Sequence, residues 1–263
     1  MSRMSIKILC LAAVTAACGA VIAAPANLSV EQIVERNIAA RGGLAAWLDA
    51  KTLTVAGEID AGGKPNHALP YLLEEKRPHK SRLEIVFKDQ TSLQVFDGAQ
   101  GWKVRPFLNR SEVEAYTPAE LKSATAAEQD LDGLLVDHAA KGTQVALAGT
   151  DVVEGHPAYK LRLTMKNGTK RTLWIDAGSF LELKMDGEPR KMDGKMHGVA
   201  VYFRDYKAEH GLNMPHTQET SVEGYKQTFK MTITRVAVNE PLDDRLFQKP
   251  QLSAKSATLA QQR

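Results

Sequence analysis

The residues able to do chemistry are few and loosely spaced. His197, His210 and His216 fall near one another, with Asp205 and Glu209 among them. Imidazoles with carboxylates form a zinc-type donor set, but no pair is fixed by its spacing on one helix or strand face. Solvated loop histidines and no metal are therefore expected. Asp130, Asp132 and Asp137 accompany a helix-like stretch, where an aspartate caps the helix start or lies on a solvated face. Asp243-Asp244 stands before a short last helix in the same way. Lys184, Arg190, Lys191 and Lys195 form a basic hairpin that could meet anionic lipid or an acidic partner; a solvated loop is the simpler reading. Trp47, Trp102 and Trp174 are read as packing residues, with Trp174 facing away from Leu173 and Ile175. His-Glu-x-x-His, Gly-x-Ser-x-Gly and a glycine-rich phosphate loop are all missing from the sequence. The reading is non-catalytic, with no cofactor.

Composition places the chemistry outside the cytoplasm. Arg3 and Lys7 precede an uncharged apolar run from Ile8 to Ala24, and Ala24-Pro25-Ala26 offers a cleavage site. That is the pattern of a secretory signal peptide over 1–26. Both cysteines, Cys10 and Cys18, lie inside it, so a mature chain from Asn27 stands on a hydrophobic core without disulfides. Thr15-Ala16-Ala17-Cys18-Gly19 also resembles a lipobox, which makes Cys18 the candidate for lipidation. The whole chain carries a formal charge of +3, and loss of Arg3 and Lys7 leaves 32 basic against 31 acidic residues. A near-neutral balance argues against a nucleic-acid partner.

The elements available to position a site are mostly strands. Tyr159, Leu161, Leu163 and Met165 alternate with Lys160, Arg162, Thr164 and Lys166, a strand with one apolar and one wet face. Asn167-Gly168 follows as a type I′ hairpin signal. Leu173 and Ile175 resume the apolar face, and Leu181, Leu183 and Met185 continue it. Earlier, Leu83, Ile85 and Phe87 share a face; later, Phe229, Met231 and Ile233 do, while Val236 and Val238 fall out of phase. That slip predicts a β-bulge near Thr234–Arg235. Ser29 with Gln32 predicts a capping box ahead of the stripe Val30, Ile33, Val34 and Ile38. Thr117-Pro118 with Glu120 predicts a second helix start. Two short helices are expected from there, over 118–124 and 126–139, with Leu131, Leu134 and Leu135 as the apolar stripe of the second. Residues after Pro250 read as a disordered tail, 251–263. The sum is a mainly β (α+β) chain of about ten to eleven antiparallel strands, and barrel and two-sheet sandwich both fit.

Several segments carry a family resemblance. These are Leu131-Asp-Gly-Leu-Leu-Val-Asp-His138, Glu154-Gly-His-Pro157, Trp174-Ile-Asp-Ala177 with Phe180-Leu-Glu-Leu-Lys184, Tyr202-Phe-Arg-Asp-Tyr206 with Gly211-Leu-Asn-Met-Pro-His216, and Val238-Asn-Glu-Pro-Leu-Asp-Asp-Arg-Leu-Phe247. They resemble secreted outer-membrane lipoprotein-sorting-like proteins, whose fold is that of the carriers LolA and LolB and of the RseB/MucB N-terminal domain. The resemblance runs from about Leu28 to Pro250. It implies an unclosed antiparallel β-barrel with a hydrophobic cavity, an N-terminal helix and a mid-chain helical lid, as a single domain over 27–250. It also implies a periplasmic address, or the outer membrane if Cys18 is lipidated. The function it implies is a monomeric carrier or binding protein for lipid acyl chains or lipoproteins, with peripheral membrane contact. The other reading is a sensor or interaction module that recognises mislocalised lipoprotein. The expected cavity lining is Leu83, Ile85, Phe87, Leu161, Leu163, Leu173, Ile175, Leu181, Leu183, Phe229 and Ile233, with Leu134 and Leu135 from the lid. A barrel filled by its own side chains needs the same residues.

Overall fold

The computed structural model describes residues 27–60, 68–125 and 130–251. The expected signal-peptide segment with Cys10 and Cys18, a turn expected from Gly62-Gly63, residues 126–129 of the second expected helix and the expected tail from 252 lie outside the described residues.

Thirteen strands form one antiparallel sheet. The first group is β1 (Thr52–Asp60), β2 (Ala68–Lys76), β3 (Lys80–Phe87), β4 (Gln90–Phe96), β5 (Gly101–Arg105) and β6 (Arg110–Ala115). The second is β7 (Gln144–Val153), β8 (His156–Thr164), β9 (Lys170–Asp176), β10 (Glu182–Asp186), β13 (Val199–Glu209), β14 (Leu212–Val222) and β15 (Thr228–Val238). β11 (Arg190–Met192) and β12 (Lys195–His197) pair only with each other. The spatial order is β6-β5-β4-β3-β2-β1-β15-β14-β13-β10-β9-β8-β7. Each group is a meander, and the first and last strands join them. The sheet does not close, so β6 and β7 remain as edges.

Among the described residues there are fifteen strands, more than the expected ten to eleven. β6 leaves no strand pattern in the sequence, because Arg-Ser-Glu-Val-Glu-Ala has a single large apolar residue, and β11 and β12 are three residues each. The bulge expected near Thr234–Arg235 is present. Ala56 pairs with Arg235 and Gly57 with Ile233, leaving Thr234 as the extra residue. The Asn167-Gly168 turn differs from the expected type I′ form. Gly168 N–H donates to Met165 O at 2.8 Å, and of the pair only Gly168 has positive φ, +80°. This is a longer hairpin loop with glycine at its left-handed position.

Three α-helices are described: α1 (Val30–Ala40), α2 (Leu44–Asp49) and α3 (Pro118–Ala124). Ser29 with Gln32 and Thr117 with Glu120 both form the expected capping boxes. The stretch from Asp130 to Gly142 is a run of turns, where a helix was expected. Gly133 at φ +77° and Asp137 at φ +51° break the helical path.

This turn segment bridges the two open edges, since the chain leaves the sheet at β6 and re-enters it at β7. It feeds both apolar cores. Leu134 and Leu135 join Ile33 and Val34 of α1 against Tyr159, Leu161, Leu163, Leu173 and Ile175. Val136 joins Trp47 against Leu53, Val55, Tyr71, Leu212 and Met214. Burying such side chains contributes roughly 1.5–3 kcal/mol each.

Candidate functional site

Between the turn segment and the inner sheet face lies a cavity of about 480 Å³. Leu53, Val55 and Leu73 line one wall, Met214, Met231 and Ile233 a second, and Leu173, Met185, Val201 and Phe203 a third; Leu134 comes from the turn segment. Alternation brings these side chains together, because residues two apart on a strand share a face. The size and the apolar wall suit a small-molecule pocket.

One end of the cavity is polar. Arg41, at the C-terminal end of α1, donates from Nη1 to Asp132 O at 3.0 Å, and Nη1 lies 3.4 Å from Glu182 Oε1. Its guanidinium stacks 4.4 Å above the Trp47 ring, a cation–π contact in a desolvated place. Its Nε has no hydrogen-bond partner among the described residues. Gly133 leaves room for this arrangement, since a β-carbon there would lie 3.3 Å from Arg41 Nη1. Tyr206 O–H donates to Glu182 Oε2 at 2.8 Å. Burial, then the Glu182 charge, holds the Tyr206 hydroxyl well above its ordinary pKa.

Buried ion pairs fasten the turn segment over the cavity. Arg77 Nη2 donates to Asp132 Oδ2 at 2.7 Å, and the Asp132 side chain is 1% exposed. Lys141 pairs with Asp132, lies 3.3 Å from Asp130, and donates to Gly133 O at 2.7 Å. His79 Nδ1 lies 2.6 Å from Asp130 Oδ1. Asp130 and Asp132 were expected on a solvated face; they are buried because cations from β2–β3 and from the segment itself converge on them. Glu75 projects from the same wall of β2 and lines the cavity. Burial, followed by the charges of Asp130 and Asp132 and offset by Arg77, pushes its carboxyl up to about 7.

No family model matches the chain, and no curated protein matches it. Solved structures do. A LolA superfamily protein from Nitrosomonas europaea superposes with a TM-score of 0.53 at 16% identity, over 84% of this chain and 98% of that one. A DUF1329 family protein from Desulfovibrio piger gives 0.54 at 15%, over 84% and 97%. A putative outer membrane lipoprotein-sorting protein domain from Vibrio parahaemolyticus gives 0.53 at 14%, over 83% and 95%.

The chain has a LolA-like fold.

Within this LolA-like fold the expected lining residues separate into groups. Leu134, Leu173 and Ile233 line the cavity. Leu135, Leu161, Leu163 and Ile175 are fully buried in the core around α1. Leu83 and Ile85 pack against the core around Trp47. Phe87 lies at the end of β3, edge-on to Phe107 at 5.8 Å. Leu181 is half-buried in the turn before β10. Leu183 is on the opposite sheet face, with Trp174, Val153 and Tyr202. A bulge causes this: Glu182 pairs with Ile175 and Lys184 with Trp174, so Leu183 is the extra residue and Glu182 takes the inward position. Phe229 continues the Met231–Ile233 line to the rim, where it is 36% exposed beneath Arg190.

Other residues moved relative to expectation. His216 is buried on β14, with Nε2 3.1 Å from Glu209. Among the described residues no group of three or more His, Cys, Asp or Glu is placed to hold a metal ion. Asp243 accepts from Arg245 N–H and caps the last short helix as expected. Sequence reasoning missed Arg41, Glu75, Glu182 and Tyr206. The signal available for Met231 was its shared face with Ile233; for the polar group there was none at short range.

Proposed function

We propose that the protein is a non-catalytic carrier that shelters an acyl chain of a lipid or lipoprotein in the periplasm. The observation that carries this reading is the apolar cavity beneath a segment held by ion pairs. A volume of about 480 Å³ corresponds to about sixteen units of water size at ~30 Å³ each, and a methylene is of similar size. That is room for one long acyl chain. Burying ten methylenes at about 0.8 kcal/mol each gives ~8 kcal/mol, a micromolar affinity before the cost of ordering is subtracted. The Arg41 Nε–H at the polar end is an unused donor that suits the carbonyl of an ester or amide.

The LolA-like fold supports the reading by analogy of architecture alone. The test is native mass spectrometry of the protein purified without detergent, followed by solvent extraction. A stoichiometric acylated species is the expected result. Uptake of a fluorescent fatty acid by the extracted protein should be lost in Ile233→Trp, which fills the cavity, while the fold is retained. A clean apo mass together with no uptake refutes the carrier reading and leaves the inner face as ordinary core.

A further inference from the structure

We infer that the β11–β12 hairpin and the neighbouring rim of the sheet form a docking surface for an anionic phospholipid bilayer. The hairpin stands at the cavity mouth. Gly187 and Glu188, just before β11, line the cavity, and Gly187 N–H donates to Val199 O at 2.8 Å, closing the base of the excursion.

Its polar residues are divided by role. Asp193 accepts from the Tyr225 hydroxyl, and His197 Nδ1 lies 3.0 Å from Glu223 O. The His197 ring meets Tyr225 edge-on at 5.3 Å. These contacts tie the hairpin to the β14–β15 turn and fix its orientation. The cations are left over. Arg190, Lys191 and Lys195 are exposed and make no ion pair among the described residues. Lys226 is exposed in the adjoining turn.

Between the cations lie apolar side chains that a solvated loop does not need. Met196 is 64% exposed, and Phe229 is 36% exposed with Arg190 5.4 Å above its ring. Lys191 stands opposite Met196 across the hairpin, and Arg190 covers Phe229; exposed apolar groups with cations beside them are the composition of an interfacial membrane contact, where the charges meet anionic headgroups and the apolar groups enter the boundary. Phe229 shares the inner face with Met231 and Ile233 of the cavity wall. Phe229, Met231 and Ile233 follow at two-residue spacing on β15, so one line of apolar side chains leads from the rim to the cavity wall. Docking through this rim would set the cavity mouth against the bilayer.

The test is co-sedimentation of the protein purified from cells producing the full chain. One set of vesicles is phosphatidylglycerol with phosphatidylethanolamine, the other pure phosphatidylcholine. Binding is expected on the anionic vesicles and should weaken as salt is raised. Each cation near an anionic surface contributes roughly fivefold in partitioning. Arg190→Gln with Lys191→Gln and Lys195→Gln should therefore lose on the order of a hundredfold. Met196→Ser should weaken binding while leaving its salt dependence unchanged. The control Lys166→Gln with Lys170→Gln and Lys207→Gln removes the same charge from exposed positions elsewhere. An equal loss in the control, equal binding to both vesicle types, or no binding to anionic vesicles overturns the inference. Circular dichroism establishes that each variant is folded.

Discussion

Asp132→Ala tests how firmly the turn segment is fastened. The carboxylate is 1% exposed and meets Arg77 at 2.7 Å and Lys141 on its other oxygen. At an effective dielectric of about 20, one such pair has a gross attraction of ~6 kcal/mol, most of it cancelled by the cost of dehydrating both ions. Breaking a buried pair from one side costs about 3–5 kcal/mol, because the partner is stranded. Here the partners are only partly stranded. Lys141 keeps Asp130 at 3.3 Å, and Arg77 keeps the carbonyls of Ala50 at 2.9 Å and Trp47 at 3.1 Å. The expected loss is therefore the lower bound, about 3 kcal/mol. A cycle with Arg77→Met should give a coupling of about 2 kcal/mol, within the range for residues in one network. Urea unfolding at neutral pH reads both, provided m is unchanged. Amide exchange should show the largest rise in opening between 130 and 143. A loss below about 1 kcal/mol, the typical effect of any point change, or a coupling indistinguishable from zero, would refute the claim that these ions hold the segment down.

Glu75 gives the fold a pH dependence of opposite sign to the usual carboxylate. Its folded pKa of about 7 lies above the ordinary 4.5, so the native state binds more protons than the unfolded state between those values. Stability then falls as pH rises from about 4.5 to 7, by up to ~3 kcal/mol; Glu75→Gln should remove that slope and be the more stable protein at pH 8 in thermal melts. Glu120 acts the other way: the Lys103 and Thr117 hydrogen bonds outweigh desolvation and lower it to about 2, so its contribution is lost on acidification below 4.5. Thr117→Ala removes the hydroxyl that accepts from Glu120 N–H and should cost about 1 kcal/mol in denaturant titration. Gly42→Ala should cost more, because the glycine has φ +109° and its β-carbon would sit 2.2 Å from Gly211 O; a change within about 0.5 kcal/mol of wild type would show that α1 does not press on the β13–β14 turn.

Short-range features were readable in the sequence. Two capping boxes, the Thr234 bulge and the outward face of Trp174 each depend on neighbours within a few positions. Phase was lost at Leu183, because a bulge leaves no mark in an apolar-polar pattern that still alternates on paper. The turn segment was misread for a related reason: its Ala, Leu and Asp content favours a helix, and only backbone reversals at Gly133 and Asp137 defeat it. The polar end of the site was beyond local reading. Arg77 and Asp132 are 55 positions apart, and Arg41 and Asp132 are 91 apart. Charged side chains look solvated until the fold brings their partners to them.

The seam between β1 and β15 also sets an order on folding. Leu53 pairs with Val238 and Asp60 with Lys230, so the first strand to be synthesised waits for the last. Until then the chain holds two separate meanders, each with an apolar face and no common wall for the cavity. Loop closure over such a separation is slow and leaves those faces uncovered. A chain cut before Thr228 lacks the strand that pairs with both β1 and β14, so no strand pairing joins its two meanders.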